Sequence, residues 1–573
     1  MWNPVDLPAE LFGMVIDYAI DRQDDFQSLC NFCLVDRQWY AGLSLRLYFK
    51  WTYDGDEHSF ISLWKFLRTM LQNAQLAGYV RVLDIQYWEY FPDLHSYEGV
   101  GFPQEDLTVI HDAVRKAGIQ ELELSIDEAV RKDDRRPLMA LLLTVLPNLR
   151  SIYAHVPEED PYLAKVLRLS LDNLENKPQQ QALQNLEEAQ LMSAWHYPHS
   201  TGDLPNDEYP YVLGLEYLWP IFRLPNLRKL SVFELEPMGA SVRFSGCAGT
   251  SPITHLTLVN DHGSFISALD AHSLLTLPKA LVSLSVYLDD CYLSLFPTSD
   301  SKQISNDELW SALEPHRDSL EHLDFYRNCS FGAPLVRRQG NSHFGLLRVF
   351  KRLNRLCIQP ETLLGGCGDP MASFRLRDTL PPTLKNLTFY GADEQLRNGS
   401  LSDQICEVLE SSDFIQLTSI LLEDVSNFNR LYAHPIALPY SKVKRACRER
   451  MVGYQKVNGK ALLKGGSQLP CFRKAFEIRR EKEDKWSKEQ ELMWVREEAP
   501  WEDDGEYSEG LGFGCLGYDG SDPHDWDSEE LDPEEMDSEN RYSESLTSEQ
   551  GEPEELDLED SDSEHQHSAE DTG

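Results

Sequence analysis

From about residue 80 a short apolar pattern recurs: one apolar residue, two others, a second apolar residue, one other, a third. Copies stand at Val80, Leu83 and Ile85, at Ile119, Leu122 and Leu124, and more weakly at Leu149, Ile152 and Ala154. The pattern returns at Leu227, Leu230 and Val232, then Ile253, Leu256 and Leu258, then Leu281, Leu284 and Val286. It continues at Leu320, Leu323 and Phe325, Leu353, Leu356 and Ile358, Leu384, Leu387 and Phe389, and a last copy at Leu417, Ile420 and Leu422. The closing pair of each triplet has the spacing of one face of a strand. Leu-Pro precedes several copies, at Pro147, Pro225, Pro278 and Pro381. Proline there stops a preceding helix and sets the chain extended. From Leu227 on, the starts lie 26, 28, 39, 33, 31 and 33 residues apart, room for one strand and one returning helix or irregular segment. One such strand cannot bury its own apolar face, but stacked neighbours can. The expected fold is α/β: an irregular solenoid with a parallel sheet over residues 56–440. A plain open α/β sheet is the alternative, and ten similar copies without a phosphate-binding glycine loop favour the solenoid.

The interval between Ala154 and Leu227 is too long for one unit. Its first part, 164–189, has helical character, and 196–210 is polar and turn-rich. The segment 155–220 therefore reads as an insertion, or as an irregular repeat with an exposed loop. Trp195, Tyr197, Tyr209, Tyr211, Tyr217 and Trp219 cluster beside it, as a recognition surface or as ordinary packing.

The first 55 residues follow a different period. Leu11, Val15 and Ala19 share one helical face with Phe12 and Ile16 beside them, and Pro8 suits the first turn. Asp24 and Asp25 start a second helix carrying Leu29, Cys30, Cys33 and Leu34, and a third presents Trp39 and Leu43. Cys30 and Cys33 have a metal-like spacing, but no second pair stands nearby and both fall on the apolar side, so no metal is expected. Three short helices leave apolar surface to be covered, by the body they cap or by a partner helix.

The order Leu7, Pro8, Leu11, Ile16, then Leu34, Val35, Arg37, Trp39 and Tyr48 resembles an F-box. Asp36 departs from that pattern, standing where many members carry Cys or Ser. The repeats are similar to the divergent leucine-rich repeats found behind F-boxes, including in fungal F-box proteins, though the Asn of well-formed repeats is mostly missing. The resemblance implies a receptor that docks on the Skp-type adaptor of a cullin–RING ubiquitin ligase and has no chemistry of its own. It places Leu7, Pro8, Leu11 and Ile16 at or near the adaptor, and Leu34, Val35 and Trp39 partly in contact and partly in the core.

Charge refines this picture. The formal net charge is −42, and residues 501–573 hold 28 Asp and Glu against one Arg, leaving −15 on the first 500. A strongly acidic chain is a poor nucleic-acid binder. The 501–573 tail is expected to be disordered, and the basic 441–500 segment to cap or link. Eleven scattered cysteines suit a reducing compartment, and no secretory peptide or membrane-length apolar run stands out. The expectation is a cytoplasmic and/or nuclear protein with no membrane association.

Residues just after the triplets decorate strand ends. Tyr87, Trp88, Tyr287, Asp289, Tyr326, Arg327 and Tyr390 are the candidate contacts for a protein target. Asp261, Asp289, Asp290 and Asp393 would bias that surface toward a basic segment. No nucleophile elbow, Walker loop, kinase set or zinc-protease motif is present, so neither catalysis nor a cofactor is expected. The alternative to a ligase receptor is a leucine-rich interaction scaffold whose front helices only cap the solenoid.

Overall fold

The structure, a computed structural model, describes residues 14, 26–34, 37–55, 58–86, 88, 104–157, 159–176, 182–193, 213–233, 235–236, 240–260, 268–289, 306–328, 344–364, 374–391, 399–424 and 441–458. All lie in the compact unit Met1–Trp494. The expectations for residues 501–573 fall outside the described residues.

Fourteen strands are described: β1 (Lys50–Asp54), β2 (Val82–Gln86), β3 (Ser151–Val156), β4 (Glu188–Ser193), β5 (Leu213–Gly214), β6 (Lys229–Phe233), β7 (Leu235–Glu236), β8 (His255–Asn260), β9 (Ser283–Asp289), β10 (His322–Asn328), β11 (Arg355–Ile358), β12 (Asn386–Gly391), β13 (Ser419–Asp424) and β14 (Gly453–Asn458). β5 and β7 pair separately. The other twelve form one all-parallel sheet whose spatial order is the chain order, accompanied by sixteen α-helices among the described residues. With no reversal of order, right-handed crossovers carry the returning segments to one face.

The registers explain why the triplets form strands. One apolar row runs Leu83, Ile152, Ala189, Leu230, Leu256, Leu284, Leu323, Leu356, Leu387 and Ile420. A second, two residues on, includes Ile85, Ala154, Leu191, Val232, Leu258, Val286 and Phe325. Both rows are buried and belong to one core with the helical residues Leu141, Val166 and Leu313. Backbone pairing at the strand starts repeats as strictly. The carbonyl before each strand accepts both opening amides of the next: Phe49 O from Arg81 and Val82 (2.9 and 3.1 Å), Arg150 O from Glu187 and Glu188 (2.8 and 3.0 Å). The fork recurs at Arg81, Glu187, Arg228, Thr254, Val282, Glu321, Asn354 and Lys385, and Thr418 O takes the single amide of Gly453.

Four regions differ from the sequence reading. Ile119, Leu122 and Leu124 are not a strand: a short 3-10 turn, Gln120–Leu122, leads into helix Glu123–Arg131. The helical spacing of buried Ile126, Ala129 and Val130 wins there, and Leu124 is exposed. The 155–220 interval carries β4 in the main sheet, so it is an irregular repeat at least that far; the helix expected over 164–189 is Pro161–Asn176. β1 begins at Lys50, so the front helices run directly into the sheet edge. At the other edge, helix Ser441–Glu449 and β14 add a further unit within the segment read as a cap or linker.

Polar side chains stitch the turns. Asn148, Asn185 and Asn226 each donate Nδ2–H to a carbonyl of the turn before, those of Gly78 (2.9 Å), Pro147 (2.8 Å) and Gln184 (2.7 Å). Asp160 caps helix Pro161–Asn176, its Oδ1 accepting the Tyr162 and Leu163 amides at 2.9 Å each, with proline at the first helical position. Burial pushes the Asp160 carboxyl up to about 7. His316 is buried; its Nδ1 accepts the Leu281 amide (3.3 Å), which leaves the proton on Nε2 for Leu275 O (2.7 Å).

Burial holds the His316 pKa below the usual imidazole range. As pH falls through about 6.5 the unfolded chain takes up this proton first, so stability drops with acidification in that window and is unaffected above it. His316→Gln keeps one donor and one acceptor without titrating. Melts between neutral pH and about pH 5 are expected to show a shallower fall for His316→Gln than for wild type. Equal slopes would mean that His316 is not held neutral.

Candidate functional site

Alternation along the strands places a second set of side chains opposite the helix-covered rows. At the strand starts this set includes Lys229, His255, Ser283, His322 and Arg355, consecutive partners on β6, β8, β9, β10 and β11. One step on come Ser231, Thr257, Ser285, Asp324 and Cys357. Toward the strand ends the row becomes Phe233, Val259, Tyr287 and Tyr326, with Tyr390 on β12. The face thus grades from basic, through hydroxyl-bearing, to aromatic.

The aromatic end forms a connected cluster. Tyr287 OH donates to Asp324 Oδ2 at 2.9 Å, and Tyr390 OH donates to Asp324 Oδ1 at 2.8 Å. The Tyr326 ring lies between them, 6.3 Å from Tyr287 and edge-on to Tyr390 at 5.6 Å. Tyr287, Tyr326 and Tyr390 are all buried, yet none belongs to the main core, so this face holds its own buried layer. Burial and the Asp324 charge push both bonded phenols far above their ordinary range, and the same two causes raise the Cys357 thiol. These phenols stay protonated and act as donors to one carboxylate.

The structure thus brings together three of the seven proposed target contacts, but as an interior cluster. Trp88 lies elsewhere: it is sealed in the main core, its amide donating to His155 O and its indole to Asp160 Oδ2, both at 3.2 Å. A side chain with 0% exposure meets no partner, so Trp88 and Tyr390 are corrected from contact residues to packing residues. Asp289 is the last residue of β9 and Arg327 the second-last of β10, in register with Asn328 and Leu288 respectively. Tyr87 and the aspartates 261, 290 and 393 fall outside the described residues. Of the aromatics beside the long interval, Tyr217 is buried and its hydroxyl donates to Pro157 O, while Trp219 packs partly buried on the core. What the sequence reading missed is the basic row. Its signal was visible in the residue before each first inward leucine, where Lys229, His255, His322 and Arg355 recur.

The front helices present a second surface. Helices Phe26–Cys33 and Arg37–Leu47 pack together, with Phe32 stacked on Trp39 at 5.4 Å and Leu43 buried. Leu34 between them is 84% exposed, and Met14, Tyr40, Leu45 and Phe49 are also exposed. Leu7, Pro8, Leu11, Ile16 and Val35 fall outside the described residues.

If the tyrosines serve the interior, Tyr390→Phe removes one charge-assisted bond and costs about 1–3 kcal/mol in denaturant unfolding. Tyr287→Phe is expected to match it, and the double variant to depart from additivity because both act on Asp324. Unchanged stability in both single variants would contradict this role. Compared with family models and with curated proteins, the chain matches none.

Proposed function

We propose that this chain is the substrate-recognition subunit of a Skp–cullin–F-box type ubiquitin ligase. The front helices hold the adaptor, and the twelve-stranded sheet, read as an irregular leucine-rich-repeat solenoid, holds a protein target. Ubiquitin transfer is supplied by partners, and the protein works in the cytoplasm and/or the nucleus.

One observation carries this reading beyond the resemblance of residues 7–48 to an F-box. Among the described residues, five of the twelve exposed large apolar side chains lie between Met14 and Phe49. Apolar groups concentrated on so short a stretch mark a surface that another protein covers. Leu34, one of the residues the resemblance assigns to the adaptor, is 84% exposed. Trp39 is half-buried against Phe32, as a residue shared between contact and core requires. The parallel stack suits the second role, because side chains on the face opposite the two apolar rows stand in register across many strands and offer an extended binding strip.

Adaptor capture by the full-length chain tests the proposal, with Leu34→Asp, Leu11→Asp and Pro8→Ala beside wild type. Leu34→Asp is expected to weaken capture at least about tenfold while shifting stability by no more than about 0.5 kcal/mol, as suits an exposed position. Folded wild-type protein that fails to bind the adaptor, or aspartate variants that bind as wild type does, would leave the scaffold reading in its place.

A further inference from the structure

The basic row on the face opposite the two apolar rows has features that ordinary surface charge lacks. Lys229, His255, His322 and Arg355 lie on one register line, with Ser283 on the strand between the two histidines. Four strand steps separate Lys229 from Arg355, about 19 Å at the usual inter-strand spacing. Both end cations are exposed, and among the described residues neither makes an ion pair. Of the nearby carboxylates, Glu321 pairs with Arg352 and Asp318 with Lys351, while Glu188, the register neighbour of Lys229 on β4, accepts from Gln190 at 3.2 Å and Asp324 holds the two phenols. Exposed cations without a direct ion pair stand out in a body whose first 500 residues carry −15. The adjoining row supplies the partly exposed hydroxyls of Thr257 and Ser285, which donate readily to carboxylate oxygens.

We propose that this strip binds an extended acidic peptide segment, rich in Asp and Glu, running across the strands from β6 to β11. It rests on the target-binding reading above in taking the sheet face as the recognition surface, and it names the chemistry of the target. The partner polarity is opposite to that expected from the aspartates at the strand ends, because the exposed cations Lys229 and Arg355 lie at the strand starts. An extended chain advances about 3.3 Å per residue, so about six residues span the strip. Alternate acidic side chains then face Lys229 and Arg355 while the intervening backbone passes the histidines. Nucleic acid fits less well, since the remaining acidic body repels a long phosphate chain.

The test is fluorescence anisotropy on the full chain without adaptor, using labelled peptides of about ten residues, one of Glu and Asp and one with Gln and Asn in their place. The acidic peptide is expected to bind and to weaken as salt is raised, and the amide peptide to bind at least about tenfold more weakly. Lys229→Glu with Arg355→Glu should lower affinity for the acidic peptide at least about tenfold and allow a Lys-rich peptide to bind. Lys65→Glu, an exposed change on helix Phe60–Gln72, should leave binding unaltered; a melting curve for each variant confirms the fold. Overturning results are no acidic-peptide binding at low salt, unaltered affinity in the folded double reversal, or tighter binding of single-stranded oligonucleotide than of peptide. Adaptor capture is measured separately, so a failed strip leaves the ligase reading standing and a failed capture leaves the strip standing.

Discussion

A single backbone carbonyl per turn, accepting two amides from the next turn, is the constraint on which this structure depends. The fork begins at Phe49 O and is repeated before every strand up to the last junction, where Thr418 O meets Gly453. It sets the register of each strand against its neighbour, and register decides which face each side chain occupies, since a slip of one residue would exchange the faces. With register held, the two apolar rows line up under the helices and the polar row lines up opposite them. The apolar rows return the benefit by excluding water from the pairing. Neither feature stands without the other, and a strand removed from the stack would keep neither.

Much of this was legible because the period-2 pair of each triplet is a direct consequence of facing a core. The closing pairs of nine of the ten triplets lie in strands of the main sheet. The exception, Ile119 to Leu124, fails because the next buried residues are spaced for a helix, and local period outvotes a short motif. β4 went unseen because Ala189 is a weak apolar signal beside a helical run, although Asn185 and Leu186 repeat the Asn-Leu pair at Asn148 and Asn226. β1 and β14 sit at the sheet edges, where aromatic Trp51, Tyr53 and Tyr454 take the inward positions and the leucine pattern is absent. The site was less legible than the fold. Tyr287, Tyr326 and Tyr390 resemble contact residues in composition, but only three-dimensional proximity to Asp324 reveals why those hydroxyls are there.

The two faces divide labour in a way that fits a receptor. The helix-covered face supplies cohesion. The opposite face is anchored at the strand ends by tyrosines bonded to one carboxylate and left chemically open at the strand starts. Rigid strands carry the open charges, so their spacing is set by the sheet rather than by loops. At the front, helix Arg37–Leu47 passes into β1 through only Tyr48 and Phe49, and Phe49 supplies the first forked carbonyl. Whatever the front helices hold is thereby coupled to the first turn of the stack.

Amide hydrogen exchange, resolved to the strand starts, reports on the carbonyl forks themselves. Strong protection is expected for the forked pairs in the middle of the sheet, at Lys229, His255, Ser283 and His322, declining toward β1 and β14, where a turn has a neighbour on one side only. Rapid exchange at the central pairs, or protection confined to the helices, would contradict a stack held together by its carbonyl forks.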